Sequence, residues 1–490
     1  MASLKPKDLK WIGTRFLDPI GRVFAHEGEY YRAIYPNQVP YVNQLLGMDV
    51  IKSLMIEGLL VETRSSKLEV EGYGMVLKHQ TIPYITYAEV WNRKLFRDAA
   101  LCGIDLNLAL LEHGLGTIDF HTNNILQGQN CQPVWIDLGS ISPLNAFDIN
   151  GPVTELTNNF LHPLFLMSQR KHLTHIARFL AYQLGGITAE QFRDLTGATL
   201  EFADKSNPRN SYLAAREWLE SLEFPKLSTM WDEYQAVEYV HDLDRESMRT
   251  SYDKRTAVIH KVLEEYKPQR VVDLSCNAGR FSFLAATMGA DTYAVDLDEE
   301  AVDRMYDYAR EFPNPLSVTA AVHDVMKAPR AVGDLVLGLA LTHHLSLSQH
   351  HRFENIAERF AAYTTNVLLT EFMPYGLGST KPHPDPLPAG YALQKFVEAH
   401  RPHFGQLEII YFPSTLAGSF RILVLCSKRS MSSGADTQIK ISLVERDKAT
   451  ETFIYRFICP SCQQLFVNNP GETIQCPHCQ TTPNFTAFKV

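Results

Sequence analysis

The chain opens on alternating apolar and polar positions. Residues 16–35, FLDPIGRVFAHEGEYYRAIY, form two alternating runs around His26-Glu27-Gly28-Glu29, which predicts a β-hairpin. Strand-like and helical pieces follow to about residue 145. Residues 151–250 carry mostly helical spacing, with a break at Asn207-Pro208-Arg209-Asn210. From about residue 254 the pattern changes to short apolar runs alternating with helical stretches, the signature of a doubly wound α/β sheet. It ends near Arg429, and 430–437, SMSSGADT, reads as a linker. The predicted organisation is 1–150, an N-terminal α+β domain; 151–250, a helical connecting region; 251–429, a Rossmann-like α/β domain; 430–450, a linker; and 451–490, a small Cys-rich module. No internal repeat is present.

Composition narrows the classes. A chain of 490 residues is too long for one ordinary core. The formal charge of −9 leaves no basic surplus for a long phosphate backbone, so there is no strong nucleic-acid signal. The apolar runs fall short of the roughly 20 residues of a membrane span. MASLKPKDLKWIG at the N-terminus has no signal-peptide apolar region, so a soluble cytoplasmic protein is expected. Four of the eight cysteines are scattered, and Cys459, Cys462, Cys476 and Cys479 cluster at the C-terminus. That clustering favours a metal site over a disulfide framework.

The most informative stretch is Arg270-Val271-Val272-Asp273-Leu274-Ser275-Cys276-Asn277-Ala278-Gly279-Arg280. An apolar strand runs into Asp273, then a turn of small residues, then a helix. Small residues let a ligand approach the backbone, and the helix start offers unpaired N–H groups. Further strands end at Asp296 and near His323-Asp324, and another, from Asp334, leads into Thr342-His343-His344. A fifth leads into Glu371, and 420–425, FRILVL, reads as a last strand.

This ordered series resembles the class I S-adenosylmethionine-dependent methyltransferases over roughly 254–429. The resemblance implies a seven-stranded sheet, cofactor contacts at Asp273, Ser275, Asn277 and Gly279, ribose binding at Asp296 and adenine contact at Asp324. Ser275 and Asn277 stand where the family's loop is usually glycine, and Asn tolerates left-handed backbone angles well. His343 or His344 is the candidate general base for the acceptor, and Glu371 is a second candidate or a structural carboxylate. No Asn/Asp-Pro-Pro-Tyr signature of nucleobase amino methylation is present.

In the N-terminal part, Asp119, His121, Asn124 and Asp137-Leu138-Gly139 stand in an order resembling the core of kinase-like phosphotransferases. That implies an Mg²⁺ and ATP site in which Lys78 pairs phosphate and Glu89, on a following helix, pairs Lys78. No Gly-rich loop precedes Lys78. The whole arrangement resembles a bacterial two-part group, some with nodulation or polysaccharide-modification labels, in which a kinase-like half precedes the methyltransferase. Ile82-Pro83-Tyr84-Ile85-Thr86-Tyr87, Trp135-Ile136-Asp137, Trp231-Asp232-Glu233-Tyr234 and Val272-Asp273-Leu274 carry that likeness. It implies a glycan or small-molecule acceptor, and Trp231 and Tyr234 are candidates to stack on a sugar.

Cys459-Pro460-Ser461-Cys462 and Cys476-Pro477-His478-Cys479 are two C-x-x-C knuckles with 13 residues between them. Four thiolates at this spacing predict a closed structural Zn²⁺ site resembling a zinc ribbon, with stability alone or contact to a protein partner or nucleic acid as its task. The leading expectation is a methyltransferase. A bifunctional phosphotransferase–methyltransferase and a non-catalytic scaffold stay open beside it.

Overall fold

The structure is a computed structural model. It describes residues 3–12, 18–169, 173–183, 185–202, 204, 207–226, 254–378, 385–412, 420–428, 437–444, 455–468 and 473–488. Trp231, Asp232, Glu233 and Tyr234 lie outside the described residues. The chain divides into two compact units, Met1–Ser228 with Arg310–Pro315, and Thr229–Ala309 with Leu316–Val490. Among the described residues no helix is long and apolar enough to cross a membrane.

The first unit is built on a five-stranded sheet of β1 (Lys10–Ile12), β2 (Gly21–His26), β3 (Glu29–Ile34), β4 (Thr63–Ser65) and β5 (Met75–His79), in the order β1-β2-β3-β5-β4. The expected hairpin is β2–β3. Its two turn residues, Glu27 and Gly28, both have positive φ (51° and 82°), the geometry whose twist matches a two-residue hairpin. Asn92 caps the helix Arg93–Leu111, its side chain accepting from the Leu95 N–H at 3.2 Å. Two short ladders follow, β6 (Leu115–Thr117) with β9 (Ile141–Pro143), and β7 (Ile125–Gln127) with β8 (Pro133–Trp135).

The stretch after residue 150 is helical, but it does not stand apart as a connecting region. Helix Pro208–Glu220 starts where Asn207 caps it and Pro208 fills its first position, and it packs on Arg93–Leu111. Arg216 bonds Asp105 at 2.8 Å, and Phe120 meets Phe160 and Tyr212. The apolar faces of these helices need a partner, and the first unit's core supplies it.

The second unit holds a nine-stranded sheet. Its strands are β10 (Arg270–Leu274), β11 (Asp291–Asp296), β12 (Val318–Val322), β13 (Gly333–Gly338), β14 (Thr364–Phe372), β15 (Gln406–Tyr411), β16 (Ile422–Ser427), β17 (Gln438–Val444) and β20 (Thr486–Phe488). The order is β12-β11-β10-β13-β14-β16-β15-β17-β20. β10 to β14 pair in parallel, and β16 is antiparallel to both neighbours. β12 is buried at every position, as a strand covered on both faces must be. The order reverses between β10 and β13, so a crevice opens outside their carboxyl ends.

The sheet corrects two boundaries. Residues 438–444, placed in the linker, form β17 beside β15, because QIKISLV alternates polar and apolar side chains. The Cys-rich module is also not detached. Its last strand, β20, pairs in parallel with β17, so the sheet carries two strands beyond the expected seven. β18 (Tyr455–Ile458) and β19 (Leu465–Asn468) form its hairpin.

Candidate functional site

The first candidate site lies at the reversal of strand order in the second unit. A cavity of about 180 Å³ is lined by Asp273, Ser275, Asn277, Asp296, His343 and His344 together with Arg255, Phe281 and Arg421. The loop after β10 is pinned to the next strand, the Ser275 and Cys276 N–H groups both donating to the Val295 carbonyl, at 2.8 and 3.0 Å. It passes through left-handed backbone at Ser275 (φ 64°), Asn277 (φ 49°) and Gly279 (φ 89°). Asn and Gly meet that demand at low cost, whereas Ser275 holds it under strain. A Cβ at Gly279 would stand 2.7 Å from Met305 Cγ, so close packing requires glycine there as well.

Both carboxylates of this cavity are buried. Asp273 accepts from Ser282 Oγ at 2.6 Å, and burial pushes its pKa up to about 7. Asp296 Oδ2 accepts the Asn277 N–H at 2.9 Å, and Oδ1 accepts the Asp298 N–H at 2.9 Å. Its pKa is also raised, first by burial. Among the described residues neither carboxylate has an ion-pair partner. Two expected contacts are not on the wall. Asp324 turns back to accept the Met326 N–H at 2.9 Å, and Gly279 serves as the N-cap of helix Arg280–Thr287.

His343 is 5% exposed, and its Nδ1 is buried without a hydrogen-bond partner. Burial, then the neighbouring His344, lowers its pKa to about 3, and burial lowers that of His344. Both rings, 4.0 Å apart, are therefore neutral at physiological pH. Glu371 is not available as a base. It is fully buried, with Arg255 Nε on Oε1 (2.9 Å), Arg255 Nη2 on Oε2 (3.0 Å), Arg421 Nη1 on Oε2 (3.1 Å) and the Ala340 N–H on Oε2 (2.8 Å). Burial works against its charge, but the two guanidiniums outweigh that and hold its pKa low. The sequence reading therefore resolves to its structural alternative. It also missed Arg255 and Arg421, whose meeting on Glu371 spans elements far apart in the chain.

The first unit holds a second cavity, about 480 Å³, with Asp119, His121, Asn124 and Asp137 on its wall. The Asn124 amide donates to Asp119 Oδ1 at 2.7 Å, and His121 Nε2 lies 3.4 Å from Asp119 Oδ2. Burial works against the His121 cation, yet the Asp119 carboxylate prevails and raises its pKa. Lys78 is not on this wall. It faces the opposite side of β5 from His79 and pairs with Glu29 at 2.5 Å rather than with Glu89, which sits in a single 3₁₀ turn, Ala88–Val90. Successive strand residues face opposite ways, which decides the matter. The cation facing Asp137 is Arg32 on β3, 4% exposed, with Nη2 2.8 Å from Asp137 Oδ1 and Nη1 2.7 Å from Asp18 Oδ2. A Cβ on Gly139 would stand 2.2 Å from Arg32 Nη1, so the glycine makes room for this pair. The one sequence signal was a lone Arg inside the strand EYYRAI.

The four C-terminal thiols do converge. Their sulfurs all lie within 4.8 Å of one another, with Cys459–Cys479 and Cys462–Cys476 each at 3.5 Å. The two knuckles repeat one geometry: the Gln463 N–H donates to the Cys459 carbonyl and the Gln480 N–H to the Cys476 carbonyl, each at 2.9 Å. A tetrahedral Zn²⁺ with Zn–S about 2.3 Å spaces its sulfurs about 3.8 Å apart, so the donor set fits.

No family model matches the chain. A mixed α/β chain with a ligand crevice at the switch point of a mostly parallel sheet defines the class, and it agrees with the resemblance drawn from the sequence. The nodulation protein NoeA of Rhizobium meliloti (strain 1021) is 23% identical over 419 residues, covering 74% of this chain and 85% of that protein. Among solved structures, the bifunctional kinase-methyltransferase WbdD is 21% identical with a TM-score of 0.29, covering 36% of this chain. This chain spans 40% of that one. Magnesium protoporphyrin IX methyltransferase (ChlM) from Synechocystis PCC 6803, with bound S-adenosylmethionine, is 16% identical with a TM-score of 0.29, over 42% of this chain and 86% of that one.

Proposed function

We propose that this chain is an S-adenosylmethionine-dependent methyltransferase of class I whose chemistry sits in the second unit. The carrying observation is that Asp273, the loop through Asn277, Asp296 and His343 line one cavity at the switch point of the sheet. Bound S-adenosylmethionine supplies an electrophilic methyl carbon. Asp296 would take the ribose hydroxyls, the loop backbone would approach the adenosine, and Asp273 would compensate the positive charge of the cofactor's methionine part. The partnerless Nδ1 of neutral His343 is suited to orient an acceptor hydroxyl, so positioning supplies most of the rate. The acceptor is proposed to be a glycan or a small-molecule oxygen nucleophile, and the setting cytoplasmic.

The test is calorimetry with S-adenosylmethionine on the full chain. Wild type should bind, and Asp296→Ala should weaken binding by about 30-fold or more, the worth of a charged hydrogen-bond acceptor. Asp296→Asn, which keeps an acceptor for the Asn277 N–H, checks that the loop itself has not collapsed. Absence of heat from wild type removes the proposal.

The Cys-rich module is proposed to be a structural zinc ribbon, with a protein partner as a further role. Metal analysis should give one zinc per chain, and Cys476→Ser should lose it. Full zinc content in that variant contradicts the site.

One observation favours a second activity: Asp119, Asn124 and Asp137 share a cavity, as a kinase-like ATP and Mg²⁺ site requires. Arg32 already occupies Asp137, so the site differs from a plain magnesium carboxylate. ATP–Mg²⁺ binding that vanishes in Asp137→Ala supports phosphotransfer, and no nucleotide binding eliminates it. If both ligands fail, the scaffold reading takes over.

A further inference from the structure

The Cys-rich module and the Asp273 cavity belong to the same compact unit, and a continuous row of residues runs between them. The module has little interior of its own. Phe457 on β18 stands 5.3 Å from Phe466 on β19 and 5.1 Å from Phe485, ring centre to ring centre. The fourth ring of this cluster comes from outside the module. Tyr411, the last residue of β15 and 3% exposed, lies 5.3 Å from Phe457 and 6.2 Å from Phe485. Its hydroxyl donates to the Ile458 carbonyl at 3.1 Å, and the next residue is Cys459, one of the four thiols. A small metal module folds on the binding energy of its metal, so the carbonyl that Tyr411 holds is fixed only as firmly as the knuckle beside it. A second tie joins the same strand: Ser442 Oγ on β17 donates to Glu408 on β15 at 2.5 Å and meets Thr486 on β20 at 2.8 Å.

From Tyr411 the row runs inward across the sheet. Its neighbour Ile410 pairs with Leu423 on β16, and Leu423 pairs with Glu371 on β14. All three are fully buried, and a close-packed interior has no empty space to absorb a shift at one end. Glu371 receives Arg421 Nη1 at 3.1 Å and the Ala340 N–H at 2.8 Å, and Arg421 and Ala340 both stand on the cavity wall. Packed side chains and rigid strands of this kind carry coupling between sites. We propose that the metal-loaded module braces the wall of the Asp273 cavity, with Tyr411 as the positioning residue that joins the two. Zinc then sets how firmly Glu371 is held, and through it Arg421 and Ala340. The proposal rests on the zinc reading of the four thiols and not on the identity of the cavity's ligand.

The experiment is amide hydrogen exchange on the full chain, read by mass spectrometry of its peptides. Wild type and Tyr411→Phe are compared, each zinc-loaded and each stripped with EDTA, with metal content and melting temperature recorded. Tyr411→Phe keeps the ring and removes one buried hydrogen bond. Stripping wild type should speed exchange in β15 and β16 by about 10-fold while β10 and β11 keep their protection. Zinc-loaded Tyr411→Phe should reproduce much of that, about 5-fold, and stripping the variant should then add little. That lack of additivity is the mark of a joint, since a tyrosine that only stabilises the sheet gives two effects that add. The brace is overturned if stripping speeds exchange only within 455–488, or if the two effects add. If stripping loosens β10 and β11 as much as β16, the whole sheet is opening, and zinc-loaded Tyr411→Phe decides: unchanged β16 exchange there overturns the brace. If wild type holds no zinc, the zinc reading fails and the metal dependence with it, while β16 exchange in Tyr411→Phe still separates a braced wall from an unbraced one.

Discussion

Two cavities in this chain gather carboxylates, and they differ in whether a cation is paired directly with them. In the first unit Asp18 and Asp137 share the buried guanidinium of Arg32, which opposes but does not outweigh the burial that raises the Asp18 pKa, so the charge is compensated in part from within. In the second unit Asp273 and Asp296 rest on hydroxyl and backbone donors, and burial raises both pKa values. A buried carboxylate without a counter-charge costs stability, and such a cost concentrates where a ligand is to be met. The contrast points to the second unit as the site prepared for a cationic ligand. In the first, Arg32 already pairs with Asp137.

The sharpest way to break this comparison is to remove Arg32. Arg32→Ala leaves the half-buried carboxylates of Asp18 and Asp137 without their shared cation, and should destabilise the protein by about 2–3 kcal/mol in chemical unfolding, less than for a fully buried pair. A loss under 1 kcal/mol would show that the bridge compensates little. The mirror change has the opposite sign. Asp273 has a folded pKa of about 7 against 3.8 for an ordinary Asp, so its contribution is fully favourable below 3.8 and is lost as pH rises through 7. Asp273→Asn keeps an acceptor for Ser282 and removes that penalty, so at pH 8 it should stabilise the unliganded protein by about 1–2 kcal/mol. A destabilised Asp273→Asn at pH 8 would place the two cavities in the same class.

Much of this was legible in the sequence, and the misses have physical reasons. The β2–β3 hairpin, the strand–loop–helix at Asp273 and the cysteine knuckles depend on local pattern, and local pattern is what a sequence displays. Asp296 and His343 were legible because strand ends in a parallel sheet share one edge. Lys78 was misplaced because a shift of one residue along β5 moves a side chain to the other face, and nothing in MVLKH marks which face meets the cavity. Glu371 kept two readings because its partners, Arg255 and Arg421, stand 116 and 50 residues away. Asp324 sits near the right edge, but its turn uses the carboxylate for the Met326 N–H. The strand at 438–444 was hidden between two polar stretches that read as one linker.

The most direct measurement is the heat of S-adenosylmethionine binding at pH 7, taken in two buffers of different ionisation enthalpy and repeated from pH 6 to 8.5. A cationic ligand favours ionised Asp273, so binding should release about half a proton at pH 7. The affinity should rise with pH and level off above 8, and Asp273→Asn should remove both effects. Binding with no proton release and no pH dependence, or no binding at all, would contradict the assignment of this pocket.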